Sequence, residues 1–296
     1  MNQQQKQNII QAGEISKKVK AYAREIIKKD MLLLEIAEKI ENKIHELGGE
    51  IAFPVNLSIN EIAAHYTPSY GDESKAHGLL KVDVGVHVNG YIADTAFSLD
   101  LDNSEENKKL IQASRQALEN VEKQINQNST LSEIGKIIED TINSQGFNPI
   151  INLSGHLMEQ YKLHAGISIP NIDNNSNLEL GLNLYAIEPF ATAGTGKVKD
   201  SRPSGIYQLQ DLKNVRSPIA RELLEYIFKK YDNLPFCSRW LVKEFGTKAL
   251  LGLRQLEQEN ILHHFPQLIE SSKSNVSQAE NTFLIEKDKV IVTTKD

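Results

Sequence analysis

The sequence predicts an α+β fold in which one duplicated core carries a helical insertion. Three observations support this: a repeat at a constant offset of 98 residues, a β-hairpin signal at Asn89-Gly90, and a helical block late in the chain. The length, 296 residues, would also allow two independent domains. We expect residues 1–211 and 266–296 to form the duplicated core and residues 212–265 to form the inserted subdomain.

The repeat consists of two similar amphipathic helical segments, Leu34–Ile44 and Ser132–Ile142. Both place isoleucines at i, i+4 and i+8, which predicts one buried stripe, and both are followed by a glycine suited to a left-handed cap. A longer helix is predicted before each, over Ile9–Lys29 and Glu105–Asn126, and an extended stretch containing Asn-Leu-Ser after each. Chance similarity is the alternative, but the shared order of elements favours duplication about a pseudo-twofold axis.

The strand signals begin with the hairpin Leu79–Val88 and Tyr91–Leu99, because Asn-Gly is the preferred pair of a type I′ turn. Later strands are predicted at Asn183–Glu188, Ser204–Gln210, Thr282–Ile285 and Val290–Thr294. In the inserted block, helices are predicted at Ser217–Tyr231, Ser238–Phe245 and Thr247–Asn260. These helices lack a marked basic face, which argues against a DNA-reading motif. We expect His263 and His264 to be a solvated loop pair.

Composition excludes several classes of protein. With 40% hydrophobic and 24% charged residues, the chain is neither disordered nor collagen-like. A net charge of -6 is the opposite of what binding to nucleic-acid phosphates favours. The single cysteine, Cys237, excludes an intramolecular disulfide and a Cys-rich zinc site. No stretch approaches ~18 continuous apolar residues, so we expect a soluble, cytoplasmic protein without membrane or DNA partners.

Two aspartates lie on one face of the predicted hairpin. With Val88 opposite Tyr91, Asp94 lies opposite Gly85, so Asp83 and Asp94 are diagonal neighbours within roughly 7–8 Å. Neighbouring carboxylates repel each other unless a cation compensates, and aspartate is depleted in strands. Gly85 leaves room for an object to approach the backbone. From the hairpin alone, a metal site and a solvated outer face are both open.

Further candidates lie in apolar surroundings downstream: His156, His164, Glu188 and Glu280. Singly, each has an ordinary structural explanation, such as a hydrogen-bonded core histidine or a glutamate at a strand end. Two aspartates, two glutamates and a histidine on the strands of a duplicated core form a set that suits hard divalent cations. Carboxylates that bridge two such ions would hold the ions close together.

The sequence resembles the type 2 methionine aminopeptidases, in their short archaeal form, over most of its length. The motifs occur in family order: Phe53-Pro54, Ala63-Ala64-His65-Tyr66-Thr67-Pro68, Val82-Asp83-Val84-Gly85 with Asp94, Gly155-His156, His164-Ala165-Gly166, Tyr185-Ala186-Ile187-Glu188 and Gln278-Ala279-Glu280. The helical block resembles the insertion that separates type 2 from type 1 enzymes. The family fold, called pita-bread, has the pseudo-twofold axis that the repeat indicates. Asn281 departs from the family, whose members often carry histidine there.

The resemblance implies a site for two divalent metal ions, which could be cobalt, manganese, iron or zinc. Asp83 would hold one ion, and His156 and Glu188 the other. Asp94 and Glu280 would bridge both. Divalent ions lower the pKa of a bound water, so a bridging hydroxide would attack the first peptide bond.

The resemblance also implies roles for the residues around these ligands. Glu188 would relay a proton from the water to the leaving amine. His65 and His164 would contact the substrate near the scissile amide and stabilise the tetrahedral intermediate. Phe53 and Phe265 would form walls of a methionine pocket.

We therefore expect a monomeric enzyme that removes the N-terminal methionine of nascent polypeptides when the second residue is small. Contact with the ribosome is left open by the sequence. An Xaa-Pro aminopeptidase or prolidase, which shares the fold and ligand set, is the enzymatic alternative. A non-catalytic relative that binds ribosomes or RNA is the alternative from another class, although all five ligands and both histidines are present.

Overall fold

Four long helices pack against the sheets of the core in the computed structural model, which describes residues 1–296. The helices are α1 (Gln3–Ile26), α2 (Leu33–Glu46), α3 (Glu105–Gln124), α4 (Leu131–Ser144), α5 (Pro218–Tyr231), α6 (Ser238–Phe245) and α7 (Ala249–Gln258). The strands are β1 (Glu50–Ile59), β2 (Ile62–Ala64), β3 (Leu79–Val88), β4 (Tyr91–Asp100), β5 (Asn148–Pro149), β6 (Ser154–Met158), β7 (Ser168–Pro170), β8 (Leu184–Ile187), β9 (Phe190–Thr192), β10 (Val198–Leu209), β11 (Phe236–Cys237), β12 (Leu262–Glu270), β13 (Val276–Gln278), β14 (Asn281–Glu286) and β15 (Lys289–Val292). No helix combines the length and the apolar character needed to cross a membrane.

The strands form four sheets, in which all the pairs are antiparallel. Their strand orders are β1-β3-β4, β11-β10-β12-β2, β13-β9-β5 and β15-β14-β8-β6-β7. The first and last of these meet where β4 runs beside β14. This junction between the two halves of the core is where a duplicated fold would form its site.

The two helical repeats occupy equivalent places in the halves of the core. Helices α1 and α2 cover the sheet of β1, β3 and β4, whereas α3 and α4 cover β5, β7, β9 and β13. The predicted isoleucine stripe is fully buried in α2, and its counterpart is almost completely buried in α4. Gly48 and Gly146 follow these helices with φ angles of 80° and 81°, in the left-handed conformation that glycine adopts without strain. The predicted repeat of helix, helix and glycine is confirmed.

The two halves differ in the segment that follows the second helix of each repeat. An extended segment was predicted at residues 152–154, but this is wrong for Asn152. The first half continues into the ten-residue β1, whereas the second forms only β5 and then a turn at Ile151 and Asn152. The cause lies in contacts with β10. The Asn152 side chain donates to the Val198 carbonyl at 2.8 Å and accepts from the Val198 N–H at 2.9 Å.

The hairpin forms as predicted. Val88 pairs with Tyr91 and Gly85 with Asp94. Asn89 and Gly90 have φ angles of 51° and 81°, both positive as a type I′ turn requires. Because this turn fixes the register, it also fixes which face carries the two aspartates.

The three predicted helices of the inserted block are present, and their apolar side chains form a separate core cluster with residues of β10 and β12. His263 and His264 contradict the prediction of a loop pair, because both belong to β12. The His264 ring stacks on Tyr207 with 4.0 Å between ring centroids, and its Nε2 accepts from the Gly205 N–H at 3.0 Å. The predicted division between 265 and 266 falls inside β12, and the division into core and insertion stays a prediction.

Glu270, at the end of β12, is fully buried and joins two loops of the core. Its carboxylate accepts hydrogen bonds from the backbone and hydroxyl groups of Thr195 and Ser272 and from the Ser274 N–H. Burial alone would raise its pKa, but the hydrogen bonds from Ser272, Thr195 and Ser274 outweigh it and lower the pKa from 4.5 to about 2. The folded state therefore favours the ionised carboxylate.

We expect Glu270→Gln to lower the free energy of unfolding by about 3 kcal/mol at pH 7. Because the pKa is lower in the folded state, this contribution is present above about pH 4.5 and is lost as the pH falls towards 2. Urea unfolding between pH 3 and pH 7 measures it. The variant and the wild type should converge as the pH falls, and a constant difference would contradict the explanation. The exposed Glu159→Gln, as a control, should change the energy by less than about 0.5 kcal/mol.

Candidate metal centre

A single cavity of about 420 Å³ lies at the junction between the two halves of the core. It is lined by every site residue that the sequence predicts: Phe53, His65, Asp83, Asp94, His156, His164, Glu188, Phe265 and Glu280. These residues are spread over more than two hundred positions of the chain, so the fold alone brings them together. Their individual roles stay predictions.

Antiparallel pairing places the acidic side chains. Asp83 and Asp94 come from the hairpin β3–β4, with Asp94 opposite Gly85. In the other half, β8 pairs with β14, and Glu188 follows the last residue of β8 while Glu280 precedes the first residue of β14. The backbones of Ala96 and Glu280 are hydrogen bonded to each other in both directions, at 3.3 and 3.0 Å, which joins the halves directly.

The ligand candidates are close enough to share ions. His156 Nε2 lies 3.5 Å from Asp94 Oδ2 and 3.9 Å from Glu188 Oε1. One ligand atom each of Asp94, His156 and Glu280 lie within 4.8 Å of one another. The ion pairs of the structure include none between a lysine or arginine and any of the four carboxylates of this cluster. Protein cations therefore do not balance its negative charge.

The electrostatics of the cluster favour bound cations. Burial raises the pKa of all four carboxyl groups, and repulsion between carboxylates raises it further for Asp83, Glu188 and Glu280. Burial also lowers the pKa of His156 to about 4, so the imidazole is neutral at pH 7 and can act as a ligand. Asp83 Oδ1, Asp94 Oδ1 and His156 Nδ1 are buried without any hydrogen-bond partner. Oxygen-rich donors with unpaired buried atoms fit divalent metal ions.

His65 has a fixed hydrogen-bonding role. Its backbone has a φ angle of 64°, which is uncommon for a residue other than glycine and marks a constrained position. Its Nδ1 lies 3.2 Å from the Pro266 carbonyl oxygen, which can only accept, so the proton is on Nδ1. Burial lowers the pKa of His65, so its Nε2 is an unprotonated acceptor at neutral pH. The ring of His164 packs edge-on against His156, with 4.4 Å between centroids.

Aromatic walls lie beside the cluster. A Cβ atom added at Gly85 would lie 2.3 Å from Cε1 of Phe53. The absence of a side chain at Gly85 therefore makes room for the Phe53 ring. Phe265 packs edge-on against His65 at 5.4 Å between centroids. Sequence reasoning missed several apolar lining residues, because no motif marks them: Leu163, Ile206, Pro235 and Leu268. The lining of the cavity therefore combines carboxylates and histidines with aromatic and other apolar side chains.

Comparison with known proteins shows the family of this chain. A family model for metallopeptidase family M24 matches residues 7–218. The chain is 48% identical over 293 residues to a methionine aminopeptidase of Methanocaldococcus jannaschii, covering 98% of each chain. Among solved structures, a methionine aminopeptidase of Thermotoga maritima superposes with a TM-score of 0.72 at 19% identity, over 100% of this chain and 98% of that one. A thermophilic Arx1 superposes with a TM-score of 0.86 at 15% identity, over 99% and 91%. At such identities the structural likeness shows the fold alone.

The chain belongs to metallopeptidase family M24, and the prediction of a hydrolytic metalloenzyme with the pita-bread fold is confirmed. Within that family, its similarity to archaeal proteins named methionine aminopeptidase confirms the resemblance to methionine aminopeptidases, whereas the assignment to type 2 stays a prediction.

Proposed function

We propose that this chain removes the N-terminal methionine of nascent polypeptides whose second residue is small. The observation that supports this best is that four carboxylates and a histidine line the same cavity as Phe53 and Phe265. The similarity to methionine aminopeptidases supports the same substrate. Since every predicted site residue comes from one chain, we propose a monomer, acting in the cytoplasm where nascent chains are made.

Asp83 would hold one metal ion, His156 and Glu188 would hold a second, and Asp94 and Glu280 would contribute to both. When bound, divalent ions lower the pKa of water and polarise a carbonyl oxygen, which is the chemistry that amide hydrolysis needs. The identity of the metal is not fixed by carboxylate and imidazole donors, which accept cobalt, manganese, iron or zinc.

The protein side chains supply proton transfer and orientation. Glu188 is 14% exposed, so it borders the cavity and can take a proton from water and return it to the leaving amine. His65, as an acceptor at Nε2, suits an N–H group of the substrate better than a carbonyl oxygen. His164, on the loop after β6, is the better candidate to donate to the oxygen of the tetrahedral intermediate. Phe53 and Phe265 would enclose the methionine side chain.

Peptide cleavage tests the proposal. Purified protein supplied in turn with Co(II), Mn(II), Fe(II) and Zn(II) should release methionine from Met-Ala-Ser and leave an Ala-Pro peptide intact. Preference for the Ala-Pro peptide would favour the Xaa-Pro aminopeptidase instead. Failure to cleave either peptide, together with no bound metal by elemental analysis, would contradict both enzymatic interpretations.

A further inference from the structure

Each of the two proposed bridging ligands is held by a threonine from the opposite half of the core. Thr95, which follows Asp94, donates its hydroxyl proton to the carbonyl of Glu280 at 2.8 Å. Thr282 accepts from the Asp94 N–H at 2.7 Å and donates to the Asp94 carbonyl at 2.8 Å. Both threonines are fully buried. These contacts hold the backbones that carry the two carboxylates against each other.

Thr294 connects these contacts to the neighbouring residue Asn281. The Thr294 hydroxyl accepts from the Thr282 N–H at 2.9 Å and donates to Asn281 Oδ1 at 2.8 Å. The Asn281 amide in turn donates to Glu122 of α3 at 2.8 Å. Thr294 is fully buried, and its carbonyl accepts from Lys20 Nζ of α1 at 2.7 Å. Thr294 thus links the start of β14, next to Glu280, to α1 directly and to α3 through Asn281.

The residues that follow strengthen the same links. Lys295 pairs with Glu122 at 2.8 Å, and Asp296 pairs with Lys20 at 3.1 Å. Residues 293–296, which we term the brace, therefore contact α1, α3 and β14. None of these residues lines the cavity of the metal cluster, although Glu280 borders both that cavity and the cleft on the side of the brace.

We infer that the brace, through Thr294 and Asn281, is a positioning element that holds Asp94 and Glu280 at the separation that two metal ions require. Hydrogen bonds behind metal ligands fix the ligand geometry, and their loss typically weakens metal binding by about 10- to 100-fold. At Asn281, where the sequence departs from its family, both the oxygen and the nitrogen of the side-chain amide form hydrogen bonds. Asn281 therefore belongs to the same network. This inference rests on the proposed metal site.

Titration calorimetry of the metal-free protein with Mn(II) tests the brace. We expect Thr294→Val, which removes the hydroxyl at nearly constant volume, to weaken Mn(II) binding about tenfold, and Thr294→Ser to restore it to within about twofold. If Thr294→Val does not fold, Asn281→Ala is the second variant, with weakening of about three- to tenfold expected. Unchanged affinity in the folded variant would overturn the inference.

A matched control separates positioning from general loss of stability. Thr192 is also fully buried, and its hydroxyl also donates to a carbonyl, of Asn275, and accepts from an N–H, of Gly194. Thr192→Val should lose similar stability and keep the wild-type Mn(II) affinity. Equal weakening in both variants would overturn the inference. If the wild-type protein itself bound no Mn(II), the proposed function would fail first, which is a distinguishable result.

Discussion

Asp94→Asn is expected to abolish most of the peptidase activity, with a fall in kcat/KM of roughly 1000-fold, equivalent to about 4 kcal/mol. Asp94 is 3% exposed and lies 3.5 Å from His156, at the centre of the ligand candidates. An asparagine has nearly the same shape but no charge, so it holds a divalent ion weakly. Metal content by elemental analysis and cleavage of Met-Ala-Ser measure the two effects.

The same substitution should stabilise the metal-free protein. Asp94 and Glu280 are buried, and Asp83 and Glu188 are partly buried. These four carboxylates have no lysine or arginine partner and repel each other, and burial raises the pKa of Asp94. Removing one of these charges should raise the free energy of unfolding in excess chelator by about 1–2 kcal/mol. Opposite signs for activity and stability are the signature of a site built for cations rather than for folding.

Asp140→Asn is the control, because Asp140 forms only an exposed ion pair with Lys136 on α4. It should leave both activity and stability nearly unchanged. If Asp94→Asn retained wild-type activity with a full complement of metal, the bridging role would be wrong. If it destabilised the metal-free protein, the repulsion argument would fail, even where activity was lost.

The sequence predicted those features that depend on local pattern. The Asn89-Gly90 turn determines the register, and the register determines the face shared by Asp83 and Asp94. The period of the isoleucines determined α2 and α4. That the cavity residues lie together was predicted only from the resemblance of their motifs, in order, to those of a known family. No local sequence pattern indicates that β4 and β14 are neighbours.

Features set by irregular contacts were missed. β12 pairs with β10 through register shifts around Pro203 and Pro266, which lie opposite each other. Prolines cannot donate to a ladder, so the segment lacks a strand signature. The brace was missed for a different reason: the contacts that tie it and Asn281 to the helices join residues 159 to 274 positions apart, and hydroxyl side chains carry no periodic signal.

Arg239→Met is expected to lower the free energy of unfolding by about 3–5 kcal/mol, since it leaves a buried carboxylate without its charge partner. Arg239 of α6 is fully buried and binds Glu41 of α2 through two nitrogens, both at 2.7 Å. Trp240 Nε1 also donates to Glu41 at 3.0 Å, and Arg239 Nε donates to the Pro68 carbonyl at 3.0 Å. This pair is thus a buried link between the helical block and the core.

The same two helices provide the control for this prediction. Lys243 of α6 pairs with Glu38 of α2 at 2.7 Å, but these side chains are 50% and 33% exposed. Lys243→Met should therefore lower the unfolding free energy by no more than about 1 kcal/mol.

Adding Glu41→Met to Arg239→Met removes the unpaired charge and should recover much of the loss, at the expense of the Trp240 hydrogen bond. Urea unfolding of the four proteins measures these differences. Equal losses of unfolding free energy in Arg239→Met and Lys243→Met would show that burial does not determine the strength of these ion pairs. If the double variant recovered none of the loss, packing of the Arg239 side chain, rather than the unpaired Glu41 carboxylate, would account for it.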